Sequence, residues 1–244
     1  MKRILGLFML VSMLAMPSMA FAAEQIGVYV APKFVFGINQ MNGMKERAVD
    51  GLTGESESFR IGNKTDEVYG GSIAIGYDFN KKFAVPLRAE LEYAGFSSGS
   101  GKKKDSDDPD DYNEYKQKLG IQTVFVNAYW DINTGTKFTP YVGAGAGMAF
   151  INAKGTMRSH IVADDDFDTH SYGSKTATNF AWNVGAGIGY NITDNWTIDT
   201  GYRFVGLGSA KTKTLTNPDE GHTTRIKTNN LYQHQIAVGV RYTF

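Results

Sequence analysis

The chain is 244 residues long and has no cysteine. It therefore has no disulfide framework and cannot be a lipoprotein anchored through cysteine. After residue 23 it also lacks an apolar run of the roughly eighteen residues that a membrane-spanning helix needs. The chain also has no excess of positive or negative charge, because 25 lysine and arginine residues balance 25 aspartate and glutamate residues. Nothing in that balance indicates binding to nucleic acid.

The N-terminal residues have the composition of a secretory signal peptide. Met1-Lys2-Arg3 is basic, residues 4–16 are apolar, and Ala20-Phe21-Ala22 has the small-x-small form of a cleavage site. The apolar stretch is too short to span a bilayer as a helix. We predict that residues 1–22 are cleaved and that residues 23–244 form one exported domain.

The C-terminal residues alternate strictly between apolar and polar side chains. From residue 231 onward, one face carries Tyr232, Ile236, Val238, Val240, Tyr242 and Phe244, and the other carries Gln233, Gln235, Gly239, Arg241 and Thr243. This period of two is typical of a strand in an outer-membrane barrel, where side chains face lipid and lumen in turn. A soluble all-β protein would need another use for so many outward apolar faces.

Seven further segments share this alternation, which gives eight predicted strands: 27–38, 68–79, 83–95, 119–132, 138–151, 180–192, 196–205 and 231–244. Short connections at 80–82, 133–137 and 193–195 alternate with long loops at 39–67, 97–118, 152–179 and 206–230. We therefore predict an all-β fold, an eight-stranded antiparallel up-and-down transmembrane β-barrel with long surface loops. Such a barrel belongs in the outer membrane of a bacterial cell.

Aromatic residues cluster near the predicted strand ends, as expected for girdles at the two membrane interfaces. The candidate interface residues are Trp130, Trp182, Trp196, Tyr242 and Phe244. The contacts expected there are with outer-membrane lipid and lipopolysaccharide. We also expect the barrel assembly machinery to bind the C-terminal strand, and the barrel to be a monomer.

Charged residues on the predicted lumen faces include both signs: Arg88, Glu90, Glu92, Asp131, Asp199, Arg203 and Arg241. An eight-stranded barrel is just wide enough for side chains to fill it, so we expect these charges to pair into a network that blocks the lumen. The alternative is a narrow path for water or small solutes.

The predicted loops contain two acidic runs, Asp105 to Asp111 and Asp164 to Asp168, which could offer oxygen ligands to a divalent cation. Neither has the glycine of a twelve-residue calcium loop, and we predict solvated loops with no metal. Lys102-Lys103-Lys104 could meet lipopolysaccharide phosphates or simply keep the loop soluble. The glycine-rich runs at 143–147 and 185–189 lack nucleotide-binding spacing, and we predict lumen-facing glycines and no cofactor.

Catalytic residues are not evident. The four histidines are His160, His170, His222 and His234, of which the first three fall in predicted loops and the last on the lipid-facing side. Ser159 and Ser171 adjoin histidines, but neighbouring residues of an extended chain point apart. We predict that the protein is not an enzyme; an outer-membrane lipid-modifying enzyme is the remaining alternative.

Several segments resemble the opacity-type porin family of small outer-membrane surface antigens. The resemblance rests on residues 87–93, 126–131, 140–147, 201–204 and 234–244, which extend from the third strand onward. It implies an eight-stranded outer-membrane barrel whose surface loops contact the environment or a host. The predicted function is therefore surface interaction, adhesion or envelope integrity, with a narrow porin as the alternative.

Overall fold

The structure is a computed structural model that describes residues 26–50, 53–98, 101–104, 113–161, 166–211, 215–216 and 223–244. The predicted signal peptide lies outside the described residues. Within these ranges the elements are β1 (Val28–Val49), β2 (Ser56–Asp78), α1 (Phe79–Phe83), β3 (Leu87–Ser98), β4 (Gly101–Lys104), β5 (Asn113–Asp131), β6 (Phe138–Ile161), β7 (Asp166–Asn191), β8 (Trp196–Lys211), β9 (Leu215–Thr216) and β10 (Thr223–Thr243).

Eight of these strands close into an antiparallel barrel, as predicted. The hydrogen-bonded order is β1-β2-β3-β5-β6-β7-β8-β10, and β10 pairs with β1 to complete the ring. Closure pairs the backbone polar groups of every wall strand with two neighbours, which a sheet must achieve to be stable in lipid. The two short strands β4 and β9 pair only at the outer ends of β5 and β10.

Side chains alternate between the interior and the outer face along each wall strand. On β5, Phe125 and Asn127 are 0% and 1% exposed, whereas Val126 between them is 64% exposed. The outward face is apolar over the height of the wall, and the inward face contains both polar and apolar residues. This is the period of two from which the eight strands were predicted.

One inner connection differs from the prediction of a simple turn at 80–82. Residues Phe79–Phe83 form the helix α1, in which the Asp78 carboxylate accepts a hydrogen bond from the backbone N–H of Asn80 at 2.9 Å. Asp78 is thus an N-cap, and Ala84 closes the turn with φ 53°. Among the described residues, no helix is long and apolar enough to cross a membrane.

The outer connections are shorter than the predicted loops, because the strands continue far beyond the apolar wall. Residues 39–49 and 56–67 pair with each other as parts of β1 and β2, and β6 and β7 likewise continue to Ile161 and from Asp166. Twenty-four residues in β6 correspond to an axial height of about 60 Å at the usual rise and tilt. The apolar band of an outer-membrane barrel is about 25 Å tall, so the hairpins project about 30 Å outward.

The projecting part divides into two lobes. The pairing of β7 with β8 ends, in the outward direction, at the Trp182–Gly206 pair. The pairing of β2 with β3 ends at the Val68–Ser98 pair. Beyond these levels, within the described residues, β8, β10, β1 and β2 continue as one sheet and β4, β5, β6 and β7 as another. Each lobe is a twisted sheet that stands on the closed barrel.

Glycines of β6 and β7 face the interior where neighbouring side chains approach closely. A Cβ atom added at Gly143 would collide with the Tyr129 ring, and one added at Gly187 would collide with the Tyr141 hydroxyl. The two glycine-rich runs are therefore explained by packing inside the barrel, as predicted.

The tightest of these positions gives a first testable prediction. A Cβ atom at Gly147 would overlap the backbone carbonyl oxygen of Val124 on the adjacent strand. Because backbone cannot move aside as a side chain can, we expect Gly147→Ala to lower the free energy of unfolding by about 3 kcal/mol. Urea unfolding of the refolded protein in lipid vesicles measures this change.

Gly95 provides the matched control, because no heavy atom lies within 4 Å of a Cβ added there. We expect Gly95→Ala to be neutral or to stabilise the barrel by about 0.5 kcal/mol, since it reduces the freedom of the unfolded chain. Equal effects of the two substitutions would contradict the packing role of Gly147.

Candidate functional site: the barrel interior and the outer hairpins

The inner half of the barrel contains a group of buried ion pairs. Lys33 Nζ lies 2.8 Å from Glu90 Oε1 and 3.2 Å from Glu92 Oε2. Glu90 also accepts hydrogen bonds from the hydroxyls of Tyr29, at 3.2 Å, and Tyr129, at 3.4 Å. Lys33 thus joins two carboxylates that are one strand period apart on β3.

Arg203 extends this group across the barrel from β8. Its Nη2 atom lies 2.6 Å from Glu92 Oε1, and its Nε donates a hydrogen bond to Gln235 Oε1. Gln235 in turn donates to Gln233 Oε1 at 2.5 Å. The Glu92 side chain is 1% exposed, so its charge is removed from water and depends on Lys33 and Arg203.

Two further ion pairs lie in the same half. Arg88 binds Asp131 through two hydrogen bonds, of 2.7 Å from Nε and 2.9 Å from Nη2, which is the strong bidentate geometry. Its guanidinium group lies 4.9 Å from the ring centres of both Tyr129 and Tyr141. Arg241 Nε lies 3.5 Å from Asp199 Oδ2.

These pairs define a charged section of the interior: Lys33, Arg88, Glu90, Glu92, Asp131, Asp199, Arg203 and Arg241. The structure places all seven charged residues selected from the sequence inside the barrel and joins them into three groups. Lys33 was missed. It is the only charged residue between positions 27 and 44 and lies on the opposite face from Val28 and Val30, which is the signal that would have identified it.

Outward of the charged section most buried interior side chains are apolar, although Asn39, Asp66, Thr123 and Gln233 are also buried at these levels. This apolar section consists of Val35, Met41, Met44, Ala94, Phe96, Leu119, Ile121, Phe125, Ala149, Ile151, Ala153, Ala181, Val205, Leu207, Ala210 and Leu231, none more than 6% exposed. Contributions come from β1, β3, β5, β6, β7, β8 and β10, so side chains enter from around the ring. The predicted polar interior therefore holds fully for the inner half and only in part for the outer half.

A cavity of about 50 Å³ lies within the charged section. Its lining includes Lys33, Glu92, Tyr129, Tyr141, Asn183 and Arg203. This space is large enough for a few water molecules. It is far too small for a nutrient molecule.

The aromatic residues selected from the sequence lie on the outer face. Trp196 packs on Tyr242 at 4.8 Å between ring centres, and Tyr242 packs on Phe244 at 4.9 Å, all near the inner rim. Trp130 is 53% exposed at the inner end of β5. Trp182 packs on Phe204 at 5.8 Å, at the level where β7 and β8 separate. Their role at the membrane interfaces stays a prediction.

The candidate catalytic and metal-binding residues are only partly described. The His234 Nδ1 atom lies 2.7 Å from the Tyr202 hydroxyl on the outer face. The side chains of His160 and His170, the residue His222, and the side chains of the acidic runs Asp105 to Asp111 and Asp164 to Asp168 and of Lys102-Lys103-Lys104 lie outside the described part of the chain. Within the described part, no group of three or more potential ligands could hold a metal ion.

Comparison with known proteins agrees with this architecture. The profile of the family described as "Outer membrane protein beta-barrel domain" matches residues 7–244. The chain belongs to this family of bacterial outer-membrane β-barrels.

Individual relatives fall in the same group. The chain is 29% identical to outer membrane protein PagN of Salmonella typhimurium over 236 residues, which covers 92% of this chain and 93% of the relative. It is 22% identical to opacity protein opA55 of Neisseria gonorrhoeae over 200 residues, covering 70% and 76%. Among solved structures, Neisserial surface protein A matches at 19% identity with a TM-score of 0.47, covering 89% of this chain and 97% of that one. The resemblance to small outer-membrane surface antigens is thereby confirmed.

Proposed function

We propose that this outer-membrane barrel is a non-enzymatic surface protein whose two outer lobes bind a ligand outside the cell. The observation that carries the proposal is the division of the molecule into a filled barrel and strands that continue far beyond the apolar wall. A barrel that served only as a pore would gain nothing from hairpins about 30 Å tall. The names of the opacity and surface-protein relatives agree with a role at the cell surface.

We further propose that the lumen of the barrel is closed. The mostly apolar section across the ring is filled by side chains that restrict the entry of water, and ions cross such a constriction only at high cost. The charged section below it pairs its charges internally, so no net charge is available to select a solute. Both features favour a structural interior over the alternative of a narrow porin.

We propose that Tyr202 and His234 are structural residues of the lipid-facing wall and take no part in catalysis. Tyr202 is 47% exposed on that face, and the aromatic ring of Phe204 lies 5.0 Å from the imidazole centre. If His234 were a general base, a further polar group would have to orient its imidazole, and a nucleophile would have to lie within hydrogen-bond reach. The aromatic surroundings of Tyr202 and His234 do not supply such an arrangement. The lipid-modifying enzyme therefore draws no support from this pair.

Partners of the barrel itself follow from its surface. The outward apolar face contacts lipid, and closure of the sheet leaves no edge in the wall for a second copy, which favours a monomer. We assign recognition by the barrel assembly machinery to the C-terminal strand, whose last residue, Phe244, is 48% exposed beside Tyr242.

Shortening the hairpins tests the proposed function. In the first hairpin, Asn-Gly replaces residues 46–59, so that a two-residue turn follows the Lys45–Arg60 pair of β1 and β2. In the second hairpin, Asn-Gly replaces residues 157–170, so that the turn follows the Thr156–Ser171 pair of β6 and β7. We expect cells of a non-adherent laboratory bacterium to gain attachment to cultured animal cells with the full chain and to lose it with the shortened chain.

The same variants must still fold for this result to be informative. Because the apolar wall and both interior sections lie below the deleted residues, we expect unchanged surface levels and unchanged heat-modifiable migration on a gel. Attachment that persists after both hairpins are shortened would refute the assignment of binding to the lobes.

A further inference from the structure

The outer face of β5 and β6 carries a directly paired set of two lysines just above the apolar wall. The outward residues of β6 run from Met148 and Phe150 to Asn152 and then Lys154, and Lys154 pairs directly with Lys118 on β5. Both lysines are exposed. Lys154 is four residues beyond Phe150, which places it about 10 Å further out along the barrel axis.

Two like charges at directly paired positions repel each other. Cα atoms of such a pair are about 5 Å apart, and like charges placed there destabilise a sheet. Among the described residues, no ion pair involves either lysine. An anion that lies over both ammonium groups would remove this repulsion.

The residues between the two lysines and the apolar wall on this face are uncharged. Gln122 and Asn152 lie between the lysines and the apolar wall, and Asn152 Nδ2 donates a hydrogen bond to the hydroxyl of Thr176 at 3.1 Å. At a similar height on β2 the outward residue is instead Glu67, which accepts a hydrogen bond from Tyr69 at 3.2 Å. Positive charge is therefore present at this height on β5 and β6 but not on β2.

We propose that Lys118 and Lys154 bind the phosphate group of a glycolipid in the outer leaflet of the membrane. The lysines face the lipid side of the wall, and their height is that of lipid headgroups above an apolar band. A compact ammonium group suits a phosphate as a point charge. Acyl chains of the same lipid would pack on Met148 and Phe180, which are 48% and 70% exposed lower on the same face.

The site is tested with bis-phosphorylated lipid A in nanodiscs of neutral phosphatidylcholine, with a chelator present so that divalent cations do not bridge phosphates to carboxylates. Bound lipid A is counted by native mass spectrometry for the wild-type chain and for the double variant Lys118→Gln, Lys154→Gln. We expect the double variant to bind about 30-fold more weakly, the equivalent of about 2 kcal/mol for two lysines at an anionic surface.

Lys175→Gln is the matched control. Lys175 is exposed at the same height, but it pairs with Ala153, whose side chain is buried in the interior, so it belongs to the opposite face of the lobe. We expect this variant to bind lipid A as the wild type does. The variant Lys118→Arg, Lys154→Arg retains both charges and should also retain binding.

Three results would overturn the proposal. The first is equal binding by the wild-type chain and the glutamine double variant, and the second is an equal loss in Lys175→Gln. The third is equal binding of dephosphorylated lipid A, since the lysines would then not recognise phosphate.

Discussion

Replacing Arg203 with alanine is expected to lower the free energy of unfolding by about 3–5 kcal/mol. The substitution removes the partner that lies 2.6 Å from Glu92 Oε1 and leaves that carboxylate, 1% exposed, with Lys33 alone. Lys33 is already shared with Glu90 at 2.8 Å, so it cannot compensate fully. Removing one member of a buried pair costs far more than the pair contributes, because the other charge stays buried.

The measurement is urea unfolding of the refolded variant in lipid vesicles, supported by the temperature at which its folded band disappears from a gel. Arg47→Ala is the control, because Arg47 is an exposed arginine whose contact is a 3.1 Å hydrogen bond to Ser56. We expect this control to change stability by less than about 0.5 kcal/mol.

A double variant separates the charge from the packing. Replacing both Arg203 and Glu92 with methionine removes the two charges together and fills the space beside Phe125, whose ring lies 5.7 Å from the Arg203 guanidinium carbon. We expect this variant to be more stable than Arg203→Ala, since neither charge is left uncompensated. If Arg203→Ala unfolds as the wild type does, the charged section does not contribute to the stability of the barrel in the way described.

The wall of the barrel could be predicted because lipid imposes a pattern on it. Residues such as Val85, Leu87 and Leu91 must be apolar where they meet acyl chains, while Arg88 and Glu90 between them face a different environment. The period of two identifies the strand and also the face on which each charge lies. This is why the seven charged residues could be assigned to the interior before any pairing was known.

The apolar section could not be predicted from the same pattern. In Val124-Phe125-Val126 all three residues are apolar, so alternation disappears although Phe125 points inward and its neighbours point outward. An interior filled by phenylalanine looks like an unbroken apolar run in the sequence. Which residues meet across the ring also depends on register, which a sequence pattern leaves open.

The outer strands were missed for a related reason. Beyond the membrane both faces of a strand meet water, so Lys45 and Arg60 can pair in a hairpin without any apolar period. Backbone hydrogen bonds that continue from the closed wall are sufficient to extend the hairpin. A polar segment of this kind has the composition of a loop, and the sequence prediction assigned it as one.

We expect the wild-type chain to give no unitary conductance steps in planar bilayers, and the double variant Ile121→Ser, Leu231→Ser to give them. Ile121 pairs with Phe96 and Ile151 on one side of the ring, and Leu231 pairs with Met41 on the other, so the two substitutions remove apolar bulk from facing walls. Serine is chosen because an apolar cavity stays dry, whereas hydroxyl groups allow water to enter. The charged section below is already polar and contains a cavity of about 50 Å³.

The matched control is Val126→Ser, Ile236→Ser, which places two serines on the same strands but on the lipid-facing side, where the residues are 64% and 54% exposed. This variant should remain silent, because leakage caused by a weakened wall would affect both double variants alike. Steps from the wild-type chain would contradict the closed lumen and make the narrow porin the better reading. A folded but silent interior variant would show that Ile121 and Leu231 do not close the lumen, and the barrier to ion flow would then lie with the remaining apolar residues or with the ion pairs around Lys33 and Arg203.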